Sequence, residues 1–443
     1  MRYFVLLLAI VFAACKTEED EPGGPPYIWS VTATPQCILV GDTVTLTAVA
    51  DGGECRWIAP EGTTLSGSGW TVSAVVSESG FFYFQVIAQN RDYADTAGVY
   101  VVVSMRQAPQ ILWQSYLPGN GDALYASQAA LMSDGGFAVV ANVSNYYLPY
   151  TGVLIRTDAD GQQLWYHEGQ MWYSYYRDVV ATDDGGCILV GSDMPEDTVL
   201  GSGPYFARFD AEGNRIWHRR IGDSMRSNSL LKTDDSTYVA LTSSWSDSTQ
   251  GLLWFTCEGD SLHSITQIGP QGQIVLDFEL AADGDLLVAT RGDSQYEMTL
   301  TRIGWSGEIR WSRLYIDQHY FGADICGTPD NGIAVACEEN LILLNANGDV
   351  QFTSHNLHGV VWTPMYSGEI HADAAGFVIG GSQYMVGFGA YVSRLDTQGQ
   401  LVWITGFESN LGGISTLLDL PDGSIVGMNS LTGMIKLAPD TGL

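Results

Sequence analysis

The chain has 443 residues, enough for more than one core. It is 46% hydrophobic and 11% aromatic with 51 Gly and 15 Pro, a turn-rich globular composition that leans toward an all-β fold. Its 50 acidic residues against 19 basic ones leave a net charge of −31, which repels phosphate backbones and argues against nucleic acid as a partner.

Residues 1–15 read as a targeting segment: Arg2 is basic, and Tyr3 to Phe12 is apolar but short. The segment ends Phe12-Ala13-Ala14-Cys15. This resembles the lipobox of bacterial lipoproteins, with Phe12 where Leu is usual. The resemblance implies that Cys15 is lipidated and anchors the mature chain to a membrane. Residues 16–26 form an acidic tether closed by Pro and Gly, and no core can form there. Acidic residues just after the lipid Cys are similar to the surface-export signal of Bacteroidota lipoproteins. That implies an outer-membrane, lipid-anchored, cell-surface location. Export also implies an oxidising compartment in which disulfides are allowed.

Residues 27–105 read as a small β-sandwich. Thr43 to Val49 alternates polar and apolar, Phe81 to Ile87 and Val99 to Val103 are β-rich, and Gly41-Asp42 and Asp51 to Gly53 punctuate them. Trp57 sits where a sandwich core tryptophan would lie. The segment resembles bacterial Ig-like and PKD-like domains, which act as spacers or adhesive modules. Cys37 and Cys55 are candidates for a disulfide between neighbouring strands.

From residue 106 to 443 the sequence repeats. A tight turn leading into a β-run begins at Asp134, Asp184, Asp235, Asp283, Asp330, Ala374 and Asp422, spaced by 44 to 51 residues. Alternating with it is Asp-x-x-Gly followed by a Trp strand, as in Asp158 to Gly161 with Trp165, Asp210 to Gly213 with Trp217, and Asp396 to Gly399 with Trp403. The last copy stops at Leu443 without its Trp strand, whereas Ile111-Leu-Trp113 is a Trp strand with no turn before it. The two balance if the ring closes on itself. The expected fold is therefore all-β: an Ig-like β-sandwich followed by a seven-bladed β-propeller with mixed-terminus closure. The repeat resembles the PQQ-like repeats of propellers carried by many periplasmic and surface lipoproteins.

The repeat residues read as structural. Asp-Gly and Asn-Gly supply positive φ and local hydrogen bonds in hairpin turns, which accounts for them without a metal. Trp165, Trp217, Trp311 and Trp403 read as packing between blades. The basic residues at 156, 208, 302, 394 and 436 read as structural partners of the turns. Cys326 and Cys337 flank Asn331-Gly332; a two-residue turn there would set them opposite each other and permit a second disulfide.

In such a ring one face holds short acidic turns, and the other holds the longer aromatic loops. The loop face collects Tyr146, Tyr147, Tyr150, Trp172, Tyr173, Tyr175, Tyr176, Trp245, His319, Tyr320, Phe321, Trp362, Tyr366 and Tyr384 as candidate ligand-binding residues. Exposed aromatics with few charges suit a glycan or a protein partner. No catalytic or metal motif is present: the seven histidines lack zinc spacing, and there is no nucleophile elbow. PQQ-dependent dehydrogenases usually carry adjacent cysteines, and this chain has none, so no cofactor is expected. Asp178, Asp324 and Glu369 lie near the first strand of their blades and are oriented toward the axis if the register allows. The expected function is a non-enzymatic surface binding, adhesion or scaffold protein. An outer-membrane assembly scaffold and a propeller hydrolase or lyase are the alternatives.

Overall fold

A computed structural model describes residues 25–441, apart from residues 92, 118–122, 146–147, 170–172, 195–202, 221–224, 234–236, 245–248, 269–271, 293, 295, 317–322, 338–339, 355–368, 384–387, 408–412, 430 and 432, and a few strand-end side chains. Its regular structure is all strand.

The N-terminal part is two four-stranded sheets packed face to face. One runs Ile28–Thr34, Thr43–Ala50, Thr71–Val76, Thr63–Ser66; the other runs Cys37–Leu39, Ala94–Ser104, Gly80–Gln89, Glu54–Ile58. Alternation puts Val44, Leu46, Val72, Ala74 and Val76 of the first against Phe84, Val101 and Val103 of the second. Trp57 is partly buried in this core and donates to the Gly69 carbonyl at 3.1 Å.

Seven four-stranded antiparallel sheets follow. Their innermost strands are Ala123–Leu131, Tyr173–Ala181, Met225–Lys232, Ile274–Leu280, Asp324–Gly327, Glu369–Asp373 and Ile414–Asp419. Each innermost strand packs on the next, and the seventh packs back on the first. A closed cycle of radial sheets is a β-propeller. The seventh sheet contains three strands from the C-terminal end of the chain and one from far upstream. Ile111–Tyr116 pairs with Gly433–Leu437, placing Trp113 opposite Lys436. This strand closes the ring and satisfies an edge that would otherwise stay open.

The two parts meet at the outer strand of the sixth sheet, Leu401–Phe407. Leu401, Val402, Trp403 and Ile404 are all buried, and Val402 accepts a hydrogen bond from the Arg106 amide. The chain enters the sandwich at the opposite end: the Tyr27 and Ile28 amides bond Asp51 and Asp95, while strand Ala94–Ser104 runs away from them toward the propeller.

Both proposed disulfides are corrected by register. Cys37 and Cys55 lie on the outer strands of one sheet with two strands between them, about 14 Å at the ordinary strand spacing. The turn after Cys326 is longer than two residues: Thr328 pairs with Gly332 and Asn331 takes a left-handed φ of 70°. Cys326 therefore faces Ala334, and Cys337 faces Asn340 in the next hairpin. All six cysteines among the described residues are free thiols.

Candidate functional site

On the turn face the repeat chemistry is structural. The Asp158 carboxylate accepts the amides of Asp160 and Gln162 at 3.0 and 2.8 Å. Gly161 closes this turn at φ 73°, and a Cβ there would stand 2.9 Å from the Trp113 ring of the seventh sheet. Gly213 receives Trp165 in the same way, and Trp165 Nε1 donates to the Ala211 carbonyl at 3.0 Å. The motif is therefore an inter-sheet joint: a left-handed glycine bares the turn, and the previous sheet's tryptophan covers it. The basic residue of each motif reaches back to the first turn of its own sheet. Arg156 meets Asp134 at 2.5 Å, Arg208 meets Asp184 at 2.6 Å, Arg302 meets Asp283 at 2.6 Å, and Arg394 meets Asp373. No group of three metal-ligating side chains occurs among the described residues.

The axis carries a second set of acids. Asp178, Asp277, Asp324 and Glu369 occupy one repeat position on four innermost strands, and each accepts a backbone amide from the next sheet. The partners are Leu230, Ile325, Ile370 and Leu417, at 2.7, 2.7, 2.7 and 2.8 Å. Asp178 and Asp277 also cap the amide just after themselves. Other seams use neutral groups at the same task. Asn142 grips both the amide and the carbonyl of Tyr176, Gln250 donates to the Gln273 carbonyl, and Thr416 donates to Gln128.

Burial dominates the electrostatics here. It lifts Asp178 to about 7, against two backbone hydrogen bonds that pull the other way. Burial, reinforced by the Asp277 charge, holds Asp324 well above the usual carboxylate range. Glu279, two residues beyond Asp277, is raised well above its ordinary value by burial and then by Asp277 and Glu369. Asp277 and Glu369 are also raised by burial. His371 relieves Glu369. Its two ring nitrogens lie 3.3 Å from Glu369 and 3.0 Å from Asp419. Burial alone would lower His371, but the two carboxylates outweigh it and hold the imidazolium to about 10. The group is not dry: Glu369 and His371 keep 16% and 27% of their side-chain surface open. Solvent therefore moderates these shifts. An imidazolium donating through both nitrogens is a strut between sheets, not a general base.

The structure thus brings together Asp178, Asp324 and Glu369, and adds Asp277, Glu279, His371 and Asp419. Asp178, Asp277 and Asp324 each lie six residues before the turn Asp of their sheets, at 184, 283 and 330, a spacing that could have found the missing members.

Most of the aromatic candidates fall outside the described residues: Tyr146, Tyr147, Trp172, Trp245, His319, Tyr320, Phe321, Trp362, Tyr366 and Tyr384. Tyr150 and Tyr173 lie in strands, with side chains outside the described set. Tyr175 is half-buried near the loop end of its strand, with the Arg177 guanidinium 4.9 Å over its ring. Tyr176 is a correction. It is 2% exposed, lies against Gly152 of the first sheet and stacks on Tyr205 at 5.9 Å. Successive strand residues alternate faces, so Tyr176 enters the inter-sheet core while its neighbour does not. Exposed apolar residues not anticipated at this end are Tyr116, Tyr125, Ile274 and Tyr296.

No protein family matches the sequence, and no curated protein matches it. Among solved structures, the chain is similar to the WD40 β-propeller domain of Doa1, at 15% identity over 75% of this chain and 97% of that one, with a TM-score of 0.48. It is similar to YCF48 bound to D1 peptide at 8% identity, 75% and 98% coverage and a TM-score of 0.49. A quinonprotein alcohol dehydrogenase-like protein from Bacteroides thetaiotaomicron is similar at 9% identity, 94% and 99% coverage and a TM-score of 0.35. The closed cycle of sheets, rather than these similarities, defines the chain as a β-propeller.

Proposed function

We propose that this is a non-enzymatic, cell-surface binding lipoprotein. Lipid on Cys15 anchors it to the outer membrane, residues 16–26 tether it, and an Ig- or PKD-like domain over residues 27–105 is the spacer. A seven-bladed propeller of PQQ-like repeats over residues 106–443 presents its loop face to a glycan or protein partner. One observation carries the reading against catalysis: the acids and the histidine at the axis are engaged as acceptors and struts between sheets. Exposed Tyr125, Ile274 and Tyr296 at the loop end add the kind of surface that captures a partner. The spacer role is supported by the chain entering the sandwich at the end away from the propeller.

The test is capture by the full chain on a glycan array and in pull-downs. Trp172→Ala with Trp362→Ala is expected to abolish capture; unchanged capture overturns the loop-face assignment. Protease shaving of intact cells is expected to release the propeller; full protection would favour a periplasmic assembly scaffold.

A further inference from the structure

The sandwich exposes an aromatic pair where the chain enters it. Trp29 is the most exposed large apolar side chain among the described residues, at 66%, and Tyr27 is 54% exposed. Their rings meet edge to face with centroids 4.8 Å apart. A bulge puts Trp29 there. Ile28 pairs with Ala50 and Ser30 with Val49, so Trp29 is the extra residue between two pairs. Ile28 enters the core, while Trp29 and Ser30 both stay outside it.

The surroundings are apolar and weakly charged. Val49 on the paired strand and Tyr93 in a loop at the same end are also exposed. Backbone packing brings that end together: a Cβ on Gly53 would stand 3.1 Å from the Gln89 backbone and 3.2 Å from the Pro26 side chain. The four strands of the sheet that Trp29 borders contain no Asp, Glu, Lys or Arg, in a chain with 50 acids. Val44 and Leu46 point inward, so Thr45 and Thr47 face out, and the outer surface is neutral hydroxyl. The flanking acids Asp51 and Asp95 already accept the Tyr27 and Ile28 amides, both at 2.7 Å.

We infer that this corner seats on the lipid bilayer, with Tyr27 and Trp29 at the headgroup level. The segment leading to Cys15 leaves the sandwich at Tyr27 itself, so the anchor and the aromatic pair share one corner. Residues 16–26 span at most about 40 Å, which keeps the pair close to the bilayer that holds the lipid. Tyr and Trp join an apolar ring to a polar tip and suit the membrane–water interface. A neutral corner loses little on leaving water, whereas a surface carrying the chain's acids would resist it. Seating here would point the propeller, at the far end of the sandwich, away from the membrane. The inference rests on the lipid-anchor part of the proposed function and assigns the sandwich a membrane-contacting end.

The experiment reconstitutes the full lipidated chain into phosphatidylcholine vesicles, with and without bromine on the acyl chains, and reads tryptophan emission. Brominated lipid is expected to quench part of it. Trp29→Phe is expected to cut that quenched part threefold or more, which assigns it to Trp29. Tyr27→Ser, which leaves Trp29 as reporter, is expected to lower it about twofold. Thermal unfolding of each variant confirms that it folds. No quenching by brominated lipid, or quenching unchanged in Trp29→Phe, overturns the inference. Self-association of the unlipidated Cys15→Ser chain that Trp29→Ala abolishes would make a second copy the occupant and also overturns it. Vesicle flotation separates the two readings. If the chain floats but Trp29 is not quenched, the lipid anchor stands and the docking falls; if the chain does not float, both fall.

Discussion

The turn face and the axis of the propeller use the same side chain in opposite ways. At the turns, Asp134, Asp184, Asp283, Asp330, Asp373 and Asp422 are partly exposed, accept amides of their own turn, and in five sheets face an Arg or Lys. Hydrogen bonds and these cations hold them below the ordinary Asp value despite partial burial. At the axis, Asp178, Asp277, Asp324 and Glu369 also accept amides, but with little cation nearby beyond His371. Burial raises all four. An accepted amide alone does not keep a carboxylate ionised; solvent and a countercharge decide it.

The largest consequence is in pH. Asp178 has its folded-state value raised to about 7. Between about pH 4 and 7 the folded protein keeps a proton that the unfolded chain has lost, so stability falls as pH rises. His371, held at about 10, acts in the same direction at higher pH: its contribution is complete below about 6.5 and is lost as pH rises through 10. The turn acids act oppositely, and their contribution is lost below about pH 4. Urea midpoints are therefore expected to rise from pH 8 to pH 5 and to fall below pH 4. Asp178→Asn should flatten the pH 5–8 limb by up to about 3 kcal/mol. An unchanged slope would mean that Asp178 ionises freely.

The next effect is at the turns. Arg302 is 4% exposed and ties Asp283, Asp285 and the carbonyls of Asn331 and Ala346. Arg302→Met should cost about 3 kcal/mol, because two acids and two acceptors lose their partner together. A loss under 1 kcal/mol, measured by urea unfolding, would show the network to be incidental. At the axis, Asp324→Ala should cost about 2 kcal/mol by orphaning the Ile370 amide. Asp324→Asn keeps an acceptor and removes a charge, so it should match or exceed the parent above pH 7. If both variants lose stability equally, charge rather than hydrogen bonding is what the axis needs.

The ring and its closure are legible in the sequence because local turn chemistry repeats there. Asp158 to Gly161 and Trp113 announce both the hairpin and its neighbour. The axis is legible only by offset. Asp178 was visible as an acid near a strand, but its partner, the Leu230 amide, is 52 residues away and has no side-chain signature. Asp277 carries no signal of its own, because the surrounding Val275 to Leu280 reads as an ordinary strand. The disulfide between Cys326 and Cys337 failed on the length of one turn: a left-handed Asn331 inside a longer loop shifts the pairing. Tyr176 failed on parity, since two adjacent tyrosines cannot both face outward from one strand.

The smallest effect probes the edge of the comparison. Lys436 approaches Asp422 at 3.5 Å, and the Asp side chain is 58% exposed. Asp422 also accepts the Ser424 amide and hydroxyl, so its turn does not depend on the lysine. Yet Lys436 lies opposite Trp113 in the pairing that closes the ring, and its own side chain is 14% exposed. Lys436→Met keeps the aliphatic stem and removes only the charge. A loss below about 1 kcal/mol, vanishing in high salt, is expected if the pair is a screened surface contact. A larger, salt-independent loss would mean that the stem and ammonium help dock the closing strand. The seventh sheet would then depend on its turn cation as the fourth depends on Arg302, although half of its outer pairing is supplied from the other end of the chain.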